Sequence, residues 1–425
     1  MLKVVEGAAA AQEEVGTPTL DELAHQGARK MLITALEEEV AAYIERHRDE
    51  VDEEGHRLVV RNGKAKARHV TCGAGTLEVR APRVNDKRVD DSGDRQRFTS
   101  QILPPYMRRS PKVAEVLPVL YLRGLSTGDF QPALQSLLGE DAAGLSSTNI
   151  ARLTAVWEEE YRRFSKRSLT DRDYVYVWAD GIHFNVRLED DRLCTLVIIG
   201  VRPDGEKELV AISDGYREST ESWQSVLRDL KGRGMQAPVV AVGDGALGFW
   251  AAVRAVWPET REQRDWCHKL ANVLDKLPRR LQGKAKRMLH EVMYAETREQ
   301  ADEQIDAFAA EFSPKYDKAV DCLTKDREVL VTLFDFPAEH WKHLRTTNVI
   351  ESPFATVRLR QRVTKGAGNR TKALTMAFKL LEMAQQRWRK LDGAKLLPLV
   401  RAGVQFVDGV QIEREEEDEV RTEAA

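Results

Sequence analysis

Three acidic residues occupy positions from which they can do joint chemistry. Asp180 lies in Val177-Trp-Ala-Asp-Gly-Ile182, a β-branched and aromatic stretch. Asp244 follows the apolar run Val239-Val-Ala-Val242 directly, inside Gly243-Asp-Gly245. Glu351 ends Arg345-Thr-Thr-Asn-Val-Ile-Glu351 and enters a helical pattern. The spacings are 64 and 107 residues, so only folding can bring the three together. Carboxylates gathered at one point repel unless cations screen them. Mg²⁺ or Mn²⁺ suits such a site, since hard oxygen donors bind it while leaving positions open for water and phosphate. Two ions about 3.5–4 Å apart activate one oxygen and stabilise another in a phosphoryl displacement. Each acid also has a structural reading. Asp180-Gly181 can be a bulge or turn pair, Asp244 can cap the following helix, and Glu351 can close a capping box with Asn348.

The elements that must position these acids are legible around them. Tyr174–Val186, Leu193–Val201 and Glu208–Ile212 read as three successive antiparallel strands, with turns at Asp190-Asp191 and Pro203-Asp204-Gly205. A helix over Thr220–Lys231 follows, carrying Trp223, Val226, Leu227 and Leu230 on its apolar side. Then come a strand at Pro238–Val242, a helix with Phe249, Trp250, Val253 and Val256, and a short strand at Glu262–Trp266. The order β-β-β-α-β-α-β is that of a ribonuclease-H-like mixed sheet, an α/β fold. In such a sheet the first and fourth strands are neighbours, so Asp180 and Asp244 share one end of a crevice. Residues 269–344 are almost wholly helical and read as an inserted all-helical domain, with Ala301, Ile305, Phe308 and Phe312 marking one face.

The region before the sheet reads as mainly helical and DNA-binding. Asp21 to about His47 is amphipathic, and His69–Cys72 and Thr76–Arg80 suggest two short strands around a glycine turn. Residues 85–105 read as loop. Ser110-Pro111 starts a helix that Pro118 should kink or shorten. A second helix spans Asp129 to Leu138, stopped by Gly139, and Ser147 caps a third that carries Arg152, Arg162 and Arg163. Two short helices before a longer basic one read as a helix-turn-helix, with a plain helical bundle as the alternative. The resulting organisation is 1–109 for a helical and basic DNA-binding region and 110–170 for the helix-turn-helix-like region. Residues 171–268 and 345–395 form the catalytic domain, 269–344 the insertion, and 396–425 an acidic tail.

Charge supports a polyanionic partner. The 425 residues carry 65 Lys+Arg against 68 Asp+Glu, yet the near-neutral total hides segregation. Arg57 to Lys112 holds fourteen basic and five acidic residues, and Glu339 to Val400 holds thirteen and four, each a local +9. Acid-rich Glu37–Glu54 and Glu413–Glu423 offset them. Neutralised phosphates release counterions, so two basic blocks favour nucleic acid, although either alone can be solvated surface. Arg345, Arg358, Arg360, Lys365 and Arg370 are the candidate phosphate contacts near the acids. Mean hydropathy is −0.46 and no long apolar run occurs, which points away from a membrane. Four scattered cysteines with no CxxC pair exclude a disulfide framework and a zinc knuckle, and fit a cytoplasmic protein.

Asp180-Gly181, Gly243-Asp-Gly245, Asp265-Trp-Cys-His268-Lys-Leu-Ala-Asn-Val-Leu274 and Leu344-Arg-Thr-Thr-Asn-Val-Ile-Glu351, with Arg358-Leu-Arg360 behind, together resemble the bacterial insertion-sequence transposases of the Mutator type. The likeness runs from the N-terminal helices to about residue 395. It implies a catalytic Asp-Asp-Glu triad of Asp180, Asp244 and Glu351 holding Mg²⁺ or Mn²⁺, with helices inserted between the second Asp and the Glu. It further implies double-stranded DNA partners (terminal inverted repeats and target), hydrolysis followed by strand transfer, a circular intermediate, and a homodimer or larger assembly on paired ends at the nucleoid. The family carries a Cys-or-Asp, two residues, then His; here these are Asp265 and His268, for which an active-site ordering role is expected. A DNA-binding descendant that no longer cuts, and a nuclease or resolvase on the same fold, are the rival functions.

Overall fold

The structure, a computed structural model, describes residues 18–123, 125, 130–138, 147–184, 193–215, 219–245, 247–364 and 369–412. Two compact units divide the chain, Met1–Ala151 and Arg152–Ala425. In the first, α1 (Leu20–Arg46) starts at a capping box in which Thr19 and Glu22 satisfy each other's backbone N–H. Four strands follow, β1 (Val59–Lys64), β2 (Arg68–Cys72), β3 (Gly75–Val79) and β4 (Pro82–Asp86), then α2 (Pro111–Arg123) and α3 (Phe130–Leu138). The hairpin β2–β3 turns at Gly75, whose φ of +100° suits glycine, as the sequence suggests. Leu36 of α1 packs on Val70, Leu77 and Val79.

Two expectations fail in this unit. The antiparallel pair β1–β4 replaces part of the expected basic stretch and loop. It is hard to see in sequence because four of its six β1 residues are exposed and its register shifts between Arg61 and Lys64. Nor does Pro118 shorten α2, the second half of the expectation that it kinks or shortens the helix, since α2 continues to Arg123. Leu117 packs on Leu134 of α3 and Leu122 is buried beyond the proline, so packing outweighs the missing N–H. The boundary between the units falls inside α4 (Ser147–Lys166). The expected helix limits Asp129 and Gly139 lie outside the described residues, as do the Asp190-Asp191 turn and the acidic run Glu413–Glu423.

The second unit is mixed α/β. Its sheet strands are β5 (Tyr176–Phe184), β6 (Leu193–Val201) and β7 (Lys207–Gly215), followed after α5 (Thr220–Gly232) by β8 (Val240–Gly243) and after α6 (Leu247–Val256) by β9 (Arg261–Arg264). The spatial order is β7-β6-β5-β8-β9. β5, β6 and β7 pair antiparallel, whereas β8 runs parallel to both β5 and β9. Trp223, Leu227 and Leu230 of α5 and Phe249, Val253 and Val256 of α6 bury one face with Val177, Ala179, Leu196 and Ile198. Tyr176 and Trp178 alternate to the opposite face. There Tyr176 donates to His340 Nδ1 at 2.9 Å and Trp178 Nε1 to the His343 carbonyl at 2.8 Å.

Helices α7 (Trp266–Leu274), α8 (Arg279–Met293), α9 (Arg298–Thr324), α10 (Arg327–Val331) and α11 (Trp341–Leu344) fill the expected helical stretch. Ala301, Ile305, Phe308 and Phe312 of α9 are buried as expected. Beyond them lie α12 (Asn348–Thr364) and α13 (Arg370–Gln385). From residue 396 the structure holds more than an acidic tail. It forms α14 (Leu397–Arg401) and the small hairpin β10 (Phe406–Val407)–β11 (Val410–Gln411), with Leu397, Val400 and Phe406 buried and Arg401 paired to Asp173 at 2.7 Å.

His343 makes this unit sensitive to acid. Its Nε2 accepts the Asp392 N–H at 3.2 Å, which requires the neutral ring. Burial, reinforced by the charge of Lys207, pushes its pKa down to about 4. The unfolded chain takes up this proton near pH 6.5, so stability present above that pH is lost as pH falls from about 6.5 to about 4. The loss is at most about 3 kcal/mol. Buried His340, also shifted down by desolvation, acts in the same direction. Urea midpoints at pH 7 and pH 4.5 should differ in wild type and differ less in His343→Gln, where His340 still acts; an equal pH dependence in the two proteins excludes His343 as a cause.

Candidate active site

Asp180 sits in an unbroken strand: β5 pairs with β6 residue by residue from Tyr176 to Phe184, with Asp180 opposite Val197. The bulge reading is therefore excluded. Its Oδ1 accepts the Gly181 N–H at 2.7 Å. On the other side β5 pairs with β8 up to Ala179 opposite Gly243, so Asp180 and Asp244 stand level, one step further on. Neighbouring strands lie about 4.8 Å apart. The register from β8 to β9 ends at Gly243 opposite Arg264, which sets Asp265 level with Asp244. The Asp265 N–H donates to the Gly243 carbonyl at 2.8 Å. Three aspartates thus follow one another from the middle of β5 across the C-terminal ends of β8 and β9, and in open α/β sheets ligands bind at the carboxyl ends of strands.

Glu351 comes to this edge on the first turn of α12. Asp265 is fully buried and joins the two elements. Its Oδ1 accepts the His268 N–H at 2.7 Å and so caps α7, with His268 Nδ1 3.3 Å away. Its Oδ2 accepts both the backbone N–H of Thr347 and the Thr347 hydroxyl, the latter at 2.7 Å. Thr347 Oγ1 also stands 3.2 Å from Glu351 Oε1, and the Glu351 N–H donates to the Thr347 carbonyl at 3.0 Å. The hydroxyl has a single proton, which the shorter contact assigns to Asp265. Glu351 is therefore joined to Thr347 through its backbone N–H, with its carboxylate beside the hydroxyl, instead of by the expected box with Asn348. Sequence reading missed Thr347, although a hydroxyl one helical turn before a carboxylate is a visible signal.

Electrostatics follow from these bonds. Burial opposes the Asp265 charge, but hydrogen bonds from His268 and Thr347 outweigh it and hold the carboxyl below its usual value. His268 is pushed up to about 9, first by its hydrogen bond to Asp265, then by the charges of Asp265, Asp244 and Glu351 acting against burial. Its Nε2 lies 3.7 Å from Glu351 Oε1. Asp265, His268 and Glu351 each offer a ligand atom within 4.8 Å of the others, close enough for one ion.

A second support holds the Asp244 loop. Gly245 has a φ of +87°, and the Arg264 guanidinium packs directly where its Cβ would be. Arg264 is fixed by Asp326, which also pairs with the fully buried Lys269 at the start of the helical segment. Gly245→Ala meets both a left-handed backbone and an immobile arginine, costs of about 1–2 and 1–3 kcal/mol. The variant should unfold at lower urea by about 2–5 kcal/mol in total. A melting curve matching wild type would show that Arg264 gives way.

The basic candidates fare unevenly. Arg358 is exposed beside the Phe354 ring, but Arg360 is only 3% exposed, against the expectation that it faces DNA. Arg345 lies half-buried over the Tyr294 ring at 4.8 Å, its pKa lowered by burial, and Arg370 is engaged by Asp214 at 3.3 Å. A helix carrying a long cation on its covered face hides it whatever the local charge density. On α4, Arg152 and Arg163 are exposed and Arg162 pairs with Glu159. Lys365 lies outside the described residues.

Fold and site together define an α/β protein with acidic side chains gathered along its adjacent parallel strands β5, β8 and β9. Comparison with known proteins makes the class specific: the chain belongs to the Mutator family of transposases, whose family model matches residues 3–390. It is 56% identical over 302 residues to the transposase for insertion sequence element IS6120 of Mycolicibacterium smegmatis, covering 71% of this chain and 93% of that one. It is 47% identical over 288 residues to the transposase for IST2 of Acidithiobacillus ferrooxidans, covering 66% and 95%. Identity to the transposase for IS256 in transposon Tn4001 of Staphylococcus aureus is 24% over 335 residues, covering 77% and 82%. No helix among the described residues is long and apolar enough to cross a membrane.

Proposed function

We propose that the chain cuts DNA at the ends of an insertion sequence and joins the freed strand to new DNA, with Asp180, Asp244 and Glu351 holding Mg²⁺ or Mn²⁺. The observation that carries this reading is the level placement of Asp180 and Asp244 on neighbouring parallel strands, with Glu351 one helical turn after Thr347, which bonds Asp265 at the third strand end. The strand order β7-β6-β5-β8-β9 supports a ribonuclease-H-like fold with 269–344 inserted into it. The relatives' names, each a transposase for an insertion sequence, support DNA as substrate.

Three carboxylates make a hard, all-oxygen donor set that fits either ion. When bound, such ions activate the attacking oxygen and stabilise the leaving one. Asp265 stays outside the ligand set because both its oxygens already accept hydrogen bonds. With His268 it orders the start of α12 and so aims Glu351. Water attacks first and the freed 3′-OH second, so no side chain of the protein becomes a covalent nucleophile. Arg152, Arg162, Arg163 and Arg358 contact phosphates, and the N-terminal region binds the terminal inverted repeats. Two or more copies act on paired ends.

The test is to incubate the full chain with duplex DNA from the element's ends in Mg²⁺, Mn²⁺ or EDTA and to sequence the products. Metal-dependent 3′-OH ends and joined strands are expected. Binding without cutting in either metal leaves a DNA-binding protein, and cutting without joining leaves a nuclease; both refute the proposal.

A further inference from the structure

The N-terminal unit contains a basic groove, beside the strands that the basic stretch forms. A groove of about 330 Å³ is lined by Lys66, Arg68 and Arg83 together with Phe98, Leu103 and Pro105, and no carboxylate lines it. Lys66 and Arg83 are exposed, and neither has a partner among the described residues. Arg68 plays a different part, since its guanidinium donates to the Leu103 and Pro104 carbonyls, both at 3.2 Å, and pins the loop that walls the groove. The next residue after Pro105 is Tyr106, which is 93% exposed and has a φ of +64°. A bulky residue disfavours that left-handed backbone, and no burial of the ring compensates. The loop is nevertheless fixed, with Thr71 donating to the Arg108 carbonyl at 2.9 Å and Ser110 to the Thr71 carbonyl at 2.8 Å. Exposed Arg108 adds a further cation.

A solvent-facing ring on a strained backbone, one residue beyond the lining of a basic groove, matches one ligand chemistry, a phosphate chain bearing accessible base faces. We propose that the groove takes an unpaired stretch of DNA, with phosphates on Lys66 and Arg83 and a base stacked on Tyr106. Duplex hides its base faces, so the ligand is single-stranded or locally opened. The choice of DNA over RNA rests on the transposase reading above; the groove itself does not depend on the carboxylates.

Binding of the full chain to oligothymidine of about ten nucleotides, followed by fluorescence anisotropy across salt concentrations, tests this. Tyr106→Ala should weaken binding by about tenfold or more with an unchanged salt slope, and Tyr106→Phe should bind as wild type. Replacing both Lys66 and Arg83 by Ala should flatten the slope by about 1.4. Asn tolerates positive φ, so Tyr106→Asn should melt no lower than wild type while binding more weakly, which separates a binding role from a structural one. Wild-type affinity in Tyr106→Ala, or no oligothymidine binding by the wild type, overturns the groove. End-duplex cleavage measured alongside keeps the two proposals apart. Cutting by the wild type with groove variants that bind normally overturns the groove alone. Groove effects without any cutting overturn the nuclease reading alone.

Discussion

Asp180→Asn should bind end DNA as tightly as wild type and lose about a thousandfold or more of its metal-dependent strand cleavage. The side chain keeps its shape, and the amide oxygen can still accept the Gly181 N–H that Asp180 now accepts at 2.7 Å. β5 is held by pairing on both sides, so the fold does not depend on this carboxylate. What is lost is one negative oxygen donor of the proposed metal site. Stabilisation by added Mn²⁺, which scales with occupancy of the folded state alone, should shrink at the same time. Cleavage at the wild-type rate by this variant would remove Asp180 from the site.

Asp265→Asn should be among the most damaging single changes to stability around the strand ends. The carboxylate is fully buried, and its two oxygens serve donors from His268 and from Thr347. An amide can satisfy one side only, and its NH₂ then faces buried donors on the other. Leaving such groups unpaired costs about 1–3 kcal/mol each, while the His268 partner is 38% exposed and adds little once solvent screens it. A drop of about 2–4 kcal/mol in unfolding free energy is expected in urea titrations. Because Thr347 also contacts Glu351, cleavage by the folded fraction should fall by about a hundredfold, as small misplacements of reacting groups do. Thr347→Val, which keeps the backbone donor and deletes the hydroxyl, should show a smaller loss of both. If Asp265→Asn matches wild type in both measurements, the tie between β9 and α12 has no energetic weight.

The sheet was legible because its strands are dense runs of β-branched residues between clear turns: Leu193–Val201 has the same limits in sequence and structure. Asp180 and Asp244 stood out for the same reason, as charges within or directly after apolar strands. The polar pair β1–β4 did not, since alternation of buried and exposed residues fails along it. Thr347 and Arg264 were hidden because their importance comes from partners distant in sequence, Asp265 for one and Gly245 with Asp326 for the other. Arg360 and Arg370 show the converse. Charge density marks a basic segment, but which of its cations face outward depends on helix packing and on acids such as Asp214.

The central claim is that three carboxylates distant in sequence converge around divalent cations, and locating the cation tests it most directly. In crystals of the protein grown with end DNA and Mn²⁺, anomalous scattering should place manganese between Asp180, Asp244 and Glu351, and it should vanish in Asp180→Asn. Manganese bound to Asp265 and His268 with Asp180 away from it, or no manganese at the strand ends, would contradict the account.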